Sequence, residues 1–248
     1  NIGLDVWFVL GLEWGVEGVA LATLIAEYAG LALGLWLCRA ALTGPRATVF
    51  DAGRLRRMAA VNGQILLRSV LLQASFTTFL FLSAGQGDEV LAVNQILMQF
   101  LSLTAYLLDG FAFAAETLVG QAVGARALAR LDRSVRLTAV WAGAGALGLG
   151  VGFAVLGPWA IDLMTTAPAL RAEARVYLPW LIAAPVIGVA SWMLDGIFIG
   201  ATRTREMLSA MAFSVAVYVG ALVLTWPLGN HGLWLSLMIL NATRGVSM

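Results

Sequence analysis

The sequence predicts an all-α fold, a polytopic transmembrane helical bundle, and three observations predict it. The first is composition. Of 248 residues, 60% are hydrophobic and 12% charged, with mean hydropathy +0.88, whereas soluble domains are roughly half apolar and a quarter charged. The second is run length. A bilayer core of roughly 30 Å needs about 20 apolar helical residues. Five runs meet that length, at 15–37, 63–84, 91–118, 138–160 and 178–200; a sixth follows at 207–227, and partial ones lie at 1–10 and 232–248. The third is the placing of arginine. Loop 38–57 carries Arg39, Arg46, Arg54, Arg56 and Arg57; loop 119–137 carries Arg126, Arg130, Arg133 and Arg136; loop 202–206 carries Arg203 and Arg205. The alternate turns LEWG, GQGDE and LGNHG contain none, and loop 161–177 offsets its two arginines with Asp162 and Glu173. Arginine held to alternate loops puts 38–57, 119–137 and 202–206 on the cytoplasmic side of a bacterial inner membrane.

Taken in order, the chain opens and closes in apolar sequence, from NIGLDVWFVL to LSLMILNATRGVSM, and reads as a fragment cut within membrane segments at both ends. The stretch 39–60 is the most polar. It reads as a cytoplasmic linker between two membrane lobes, with Arg54, Arg56 and Arg57 on an amphipathic end at the lipid surface. Span 178–200 contains Pro179, Pro185 and Gly188, and Pro185 removes a helical hydrogen bond, which suits a kink or a cavity wall. Trp14, Trp36, Trp159, Trp180 and Trp226 sit near span ends, where interfacial anchoring and buried packing fit equally. The glycine runs at 141–152 and 120–124 read as close helix packing.

Several function classes drop out early. A net charge of +1 gives no basic face for nucleic acid. One cysteine, Cys38, and one histidine, His231, leave neither an intrachain disulfide nor a transition-metal cluster, and no cofactor is expected. HExxH and GxSxG are absent, which argues against a membrane protease or acyltransferase, and His231 lies in an outer turn with no evident partner.

The chemistry sits in a repeat. LDGFAFAAET at 108–117 recurs as LDGIFIGATR at 194–203, and GVEGVALA at 15–22 echoes GNHGLWLS at 229–236. Same-sense repeats mark transporter folds in which ligand sites lie between repeats. An aspartate at a helix centre in a bilayer costs roughly 2.5–3.5 kcal/mol on insertion scales. Asp109 and Asp195 therefore need a cavity, a partner or water. The glycine after each leaves room for a neighbouring backbone or a bound molecule. Glu116 follows Asp109 by seven residues and shares its face. Arg244 lies about twelve residues into the last partial span and pairs with Asp195 or Glu116. Two readings stand for these carboxylates: a buried salt bridge that fixes helix register, or the lining of a functional cavity. At the other end, Asn1 and Asp5 are spaced i, i+4, so one helical face offers an amide oxygen and a carboxylate. Such a pair suits a hard cation or a proton, or Asn1 hydrogen-bonds a neighbouring helix.

The stretches NIGLDVWFVLGLEWGVEGVALAT, LLDGFAFAAETLVGQAVGA, LDGIFIGATRTREM and LGNHGLWL resemble, in order and spacing, the MATE (multidrug and toxic compound extrusion) family in its DinF-like branch. The resemblance implies twelve helices in two six-helix lobes related by a pseudo-twofold axis along the membrane normal. This chain would supply the end of the first lobe (1–38, part of helix five and helix six), the linker (39–60), and the second lobe (61–248, helices seven to twelve, the last truncated). It implies an antiporter, coupled to H+ or Na+, that exports small amphipathic and often cationic compounds and works as a monomer in the lipid bilayer. The family's first-lobe ion site maps onto Asn1, Asp5 and Thr23, and a tenth-helix aspartate of another branch onto Asp195. That branch's seventh-helix carboxylate is replaced here by Gln73, Ala74 and Ser75. Asp109, Asp195, Glu116, Gln73, Ser75 and Arg244 are the candidate cavity residues. The alternatives are a lipid-linked oligosaccharide flippase of similar architecture, whose cavity would want several arginines where only Arg244 and Arg68 are candidates, and a non-transporting membrane scaffold.

Overall fold

The computed structural model describes residues 1–39 and 51–248. The middle of the expected linker, including Arg46, lies outside the described residues. The chain divides into two compact units, Asn1–Leu55 and Arg56–Met248.

In the first unit, α1 (Ile2–Val6) widens into a π-turn (Trp7–Gly11) before a reversal leads to α2 (Gly15–Leu37). Phe8 anchors the reversal: it is buried between the rings of Trp7 and Trp14, with centroids 5.4 and 5.3 Å away. Gly18 makes the approach possible, since a side chain there would meet the Phe8 and Trp14 Cβ atoms at 3.1 Å. Gly15 itself takes φ +55°, a left-handed conformation that glycine adopts freely.

The second unit is built from α3 (Ala52–Ala84, whose first turn belongs to the other unit), α4 (Asp88–Gly124), α5 (Leu128–Met164), α6 (Pro168–Gly200), α7 (Thr204–Thr225) and α8 (Asn230–Ser247). Among the described residues six helices, α2 to α7, are long and apolar enough to cross a membrane. Each run expected from sequence is found as a helix, and α3 to α6 are longer than their apolar runs. At 33 to 37 residues, α3 to α6 would measure about 50–55 Å at 1.5 Å per residue, beyond a roughly 30 Å hydrocarbon core. Hydropathy reports where the chain is apolar, and a helix continues past that point for as long as its backbone bonds remain internal. So α3 begins at Ala52 and carries Arg54, Arg56 and Arg57 as helix.

The bundle core is apolar and centred on Phe79, Leu97, Leu101, Leu181, Trp234 and Leu237. Phe79 and Trp234 meet edge to face at 5.2 Å. Helices α4 and α6 approach backbone to backbone. A Cβ on Gly196 would lie 2.2 Å from the Ala112 carbonyl oxygen, and one on Gly200 would lie 2.4 Å from that of Glu116. This small-xxx-small face lets the helices touch. The glycines of the 141–152 run divide: Gly150 abuts the Ile182 carbonyl and Gly145 abuts Phe111, whereas Gly143, Gly148 and Gly152 face open space.

Helices α4 and α6 end alike. After Gly124 and after Gly200 the chain reverses through a left-handed residue, Arg126 (φ 53°) and Thr202 (φ 56°). In each reversal the next amide reaches back to a carbonyl five residues earlier, Ala127 to Ala122 at 2.9 Å and Arg203 to Phe198 at 2.8 Å. Both are Schellman-type stops built without glycine at the left-handed position. At the opposite ends of α5 and α6, Arg171 donates to the Asp162 and Thr165 carbonyls (2.8 and 2.7 Å), and Arg175 binds both Asp162 carboxylate oxygens at 2.8 Å. The two arginines of that loop are thus tied to a helix C-terminus.

Candidate functional site

The site follows from the α4–α6 contact. Gly196 seats on Ala112, one turn beyond Asp109, so Asp195 is carried to within a turn of Asp109, and Gly200 seats on Glu116. Asp195 is 8% exposed and Arg244 is fully buried. Arg244 Nη2 donates to Asp195 Oδ2 at 2.7 Å, while its Nη1 reaches Asn241 Oδ1 at 3.3 Å. Arg68, from the middle of α3, pairs with the same Asp195 oxygen. One carboxylate oxygen thus receives two guanidiniums and ties α3, α6 and α8 together. Asp195 Oδ1, Arg68 Nε and Arg244 Nε are buried with no hydrogen-bond partner.

Beside this triad opens a cavity of about 460 Å³ between α3, α4 and α6. Its walls are apolar at Leu72, Phe76, Leu80, Met98, Phe113 and Trp192, and its ionisable lining is Arg68, Asp109, Glu116 and Asp195. Among the described residues, Asp109 and Glu116 have no ion-pair partner within 4 Å. Charged groups that deep in a membrane protein face one another, a cavity or water; here one set is paired and the other faces the cavity.

The structure brings Asp109, Asp195, Glu116 and Gln73 to one cavity, with Arg244 directly behind Asp195. Ser75 lies elsewhere: it is buried, its Oγ donates to the Leu71 carbonyl at 2.9 Å, and its own carbonyl accepts from Tyr218 Oη at 3.2 Å. Two residues apart on a helix are 200° apart, so Gln73 and Ser75 could not both face inward. Gly196 meets a backbone, as its position after an aspartate suggested, but nothing lies within 4 Å of a Cβ on Gly110. His231 does have partners: Trp180 Nε1 donates to its Nδ1 at 3.1 Å and the Tyr177 ring centroid lies 4.7 Å away. Sequence reasoning underweighted Arg68, although an arginine inside an apolar run was the available signal.

In the first unit, Asn1 Nδ2 donates to Thr23 Oγ1 at 3.4 Å, joining the start of α1 to α2. Asp5 lies one turn on, and its Oδ1 is buried without a hydrogen-bond partner. An unpartnered carboxylate oxygen suits a cation or a proton.

A second polar cluster sits in α3, α4 and α8. Asn94 and Asn230 exchange side-chain hydrogen bonds at 2.7 and 3.1 Å, Asn94 Nδ2 also donates to Ser83 Oγ at 2.7 Å, and Trp234 Nε1 donates to Asn94 Oδ1 at 2.9 Å. Both donors and both lone-pair sites of the Asn94 amide are used.

Helices long and apolar enough to cross a membrane thus enclose a charged cavity beside the repeated Asp-Gly pairs. The MatE family model matches residues 65–226, and the chain belongs to that family. Over its whole length it is 44% identical to the DNA damage-inducible protein F of Escherichia coli (strain K12), of which it covers 55%. Among solved structures, an outward-facing multidrug resistance MATE family transporter superposes with a TM-score of 0.86 at 21% identity, over 99% of this chain and 57% of that one. The Vibrio cholerae MATE transporter VcmN in its bent form gives 0.82 at 18%, over 98% and 56%. The chain spans about half the length of the curated relatives it matches.

Proposed function

We propose that the chain forms the substrate-handling lobe of a proton- or sodium-coupled exporter of amphipathic compounds in a bacterial inner membrane. The observation that carries this reading is the apolar cavity of about 460 Å³ with two carboxylates, Asp109 and Glu116, left without partners on its α4 wall. Its size falls within the range of drug-sized sites, roughly 300–1,000 Å³, and an apolar wall with a few charged groups is what an amphiphile needs. Three carboxylates against one lining guanidinium give the cavity an acidic balance. That balance disfavours the pyrophosphate of a lipid-linked oligosaccharide.

Coupling is assigned to Asn1, Asp5 and Thr23, where the orphaned Asp5 oxygen awaits a proton or Na+. Charging or discharging Asp5 then biases the transporter between states that hold the ion with different affinity. The arginine-rich loops 38–57, 119–137 and 202–206 face the cytoplasm in this arrangement. The test is gradient-driven dye efflux from vesicles containing the protein, with Asp5→Asn beside wild type. Loss of gradient-driven efflux in the variant supports the assignment; equal efflux removes it. A wild type that moves no dye under either gradient defeats the export reading.

A further inference from the structure

The outer face of α5 carries a pattern of its own, away from the cavity. Segment 126–136 holds four arginines and one acid. The acid, Asp132, is taken by Arg136, whose Nε lies 3.1 Å from its Oδ1. Arg126, Arg130 and Arg133 are exposed and have no ion-pair partner within 4 Å among the described residues. Nothing at the helix start relieves this charge. Ala127 caps α5 without a side-chain hydrogen bond and the first turn holds no acid, so the positive end of the helix dipole adds to the arginines. At the matching reversal after α6, by contrast, Arg203 is bound by Glu206 at 2.9 Å.

Residues three, four and seven apart share a helical face. Arg130 and Arg133 therefore head a stripe that continues through Leu137, Trp141, Val151 and Val155, all of them exposed. The stripe dips at Ala144 and Gly148, and no atom lies within 4 Å of the place a Gly148 Cβ would take. The face is thus a shallow apolar trough with guanidiniums at one end. Free phosphate would answer the arginines and leave the trough bare. Phosphatidylcholine would bring a quaternary ammonium to clustered guanidiniums, which repel it.

From this we infer that the outer face of α5 is a docking surface for an anionic phospholipid. The lipid phosphate accepts from Arg130 and Arg133, Arg126 adds its charge from the turn, and the acyl chains lie along Leu137, Trp141 and the dip at Gly148. Guanidinium–phosphate hydrogen bonds are charge-assisted and directional, and each arginine near a membrane surface favours anionic lipid several-fold. The inference does not depend on the cavity between α3, α4 and α6 being a substrate site.

The test is native mass spectrometry of the chain released from detergent micelles that contain equal amounts of phosphatidylglycerol and phosphatidylcholine with the same acyl chains. Wild type is expected to retain one phosphatidylglycerol at least about tenfold more often than one phosphatidylcholine. Arg130→Gln/Arg133→Gln, at exposed positions remote from the bundle core, should keep the wild-type unfolding temperature and lose that preference. Arg54→Gln/Arg56→Gln removes the same charge from the start of α3 and should keep it. Equal retention of both lipids by wild type overturns the inference, as does a preference that survives in Arg130→Gln/Arg133→Gln. An equal loss in Arg54→Gln/Arg56→Gln would reduce the effect to overall charge and overturn the site. Displacement of the lipid by millimolar inorganic phosphate would show that the arginines bind the anion alone, and would overturn it too.

Discussion

Two polar clusters each join α3 to α8 and differ in kind. The amide cluster at Asn94 joins Ser83 of α3 to Asn230 and Trp234 of α8, and every polar position of the Asn94 amide is matched. The charged cluster at Asp195 also joins α3 to α8, through Arg68 and Arg244, but leaves three buried polar atoms unmatched and opens onto a cavity. A neutral, satisfied network rigidifies a bundle and asks for nothing further. An ionic cluster with a surplus charge and orphaned donors costs stability in an apolar setting, and such a cost persists where a ligand can answer it. The contrast separates a satisfied clasp from an unsatisfied cluster beside a cavity.

The comparison is sharpened by breaking each cluster in turn. The largest effect is expected from Asp195→Ala, which strands two buried guanidiniums and should lower unfolding stability in detergent by about 3–5 kcal/mol. Next comes Gly196→Ala. Its Cβ would overlap the Ala112 carbonyl, at 2.2 Å, and forcing α4 from α6 should cost about 1–3 kcal/mol and disturb the cavity together with the fold. Asn94→Ala leaves Asn230 and Trp234 short of a partner and should cost about 1–3 kcal/mol, with ligand affinity unchanged. Ser83→Ala leaves one of the two Asn94 amide hydrogens unpartnered while the other still reaches Asn230, so about 1 kcal/mol is expected in the same unfolding assay.

Much of this was legible in the sequence, for identifiable reasons. A long apolar run in a membrane has few alternatives to a helix, so α2 to α7 were found where hydropathy put them. The repeat at Asp109 and Asp195 marked the cavity because charge in apolar sequence demands an explanation. The pairing of Arg244 with Asp195 was one of two options that depth allowed. Less was readable where rotation matters: Gln73 and Ser75 looked equivalent in the text, but one turns toward the cavity and the other toward α7. The Gly196 and Gly200 contacts depend on which helices are neighbours, and periodicity within a single helix does not contain that. Asn94 and Asn230 lie 136 residues apart, and nothing local to either announces the other.

The most direct measurement is a titration of tetraphenylphosphonium, a hydrophobic cation, into the chain in nanodiscs. Wild type is compared with Asn94→Ala and with the double variant Asp109→Asn/Glu116→Gln, and unfolding temperature is followed in parallel. If the cavity is the site and the amide cluster the clasp, the double variant loses affinity by about tenfold or more with its unfolding temperature near that of wild type. Asn94→Ala should unfold earlier and bind as wild type does. Wild-type affinity in the double variant, or an equal loss of affinity in folded Asn94→Ala, would contradict that division.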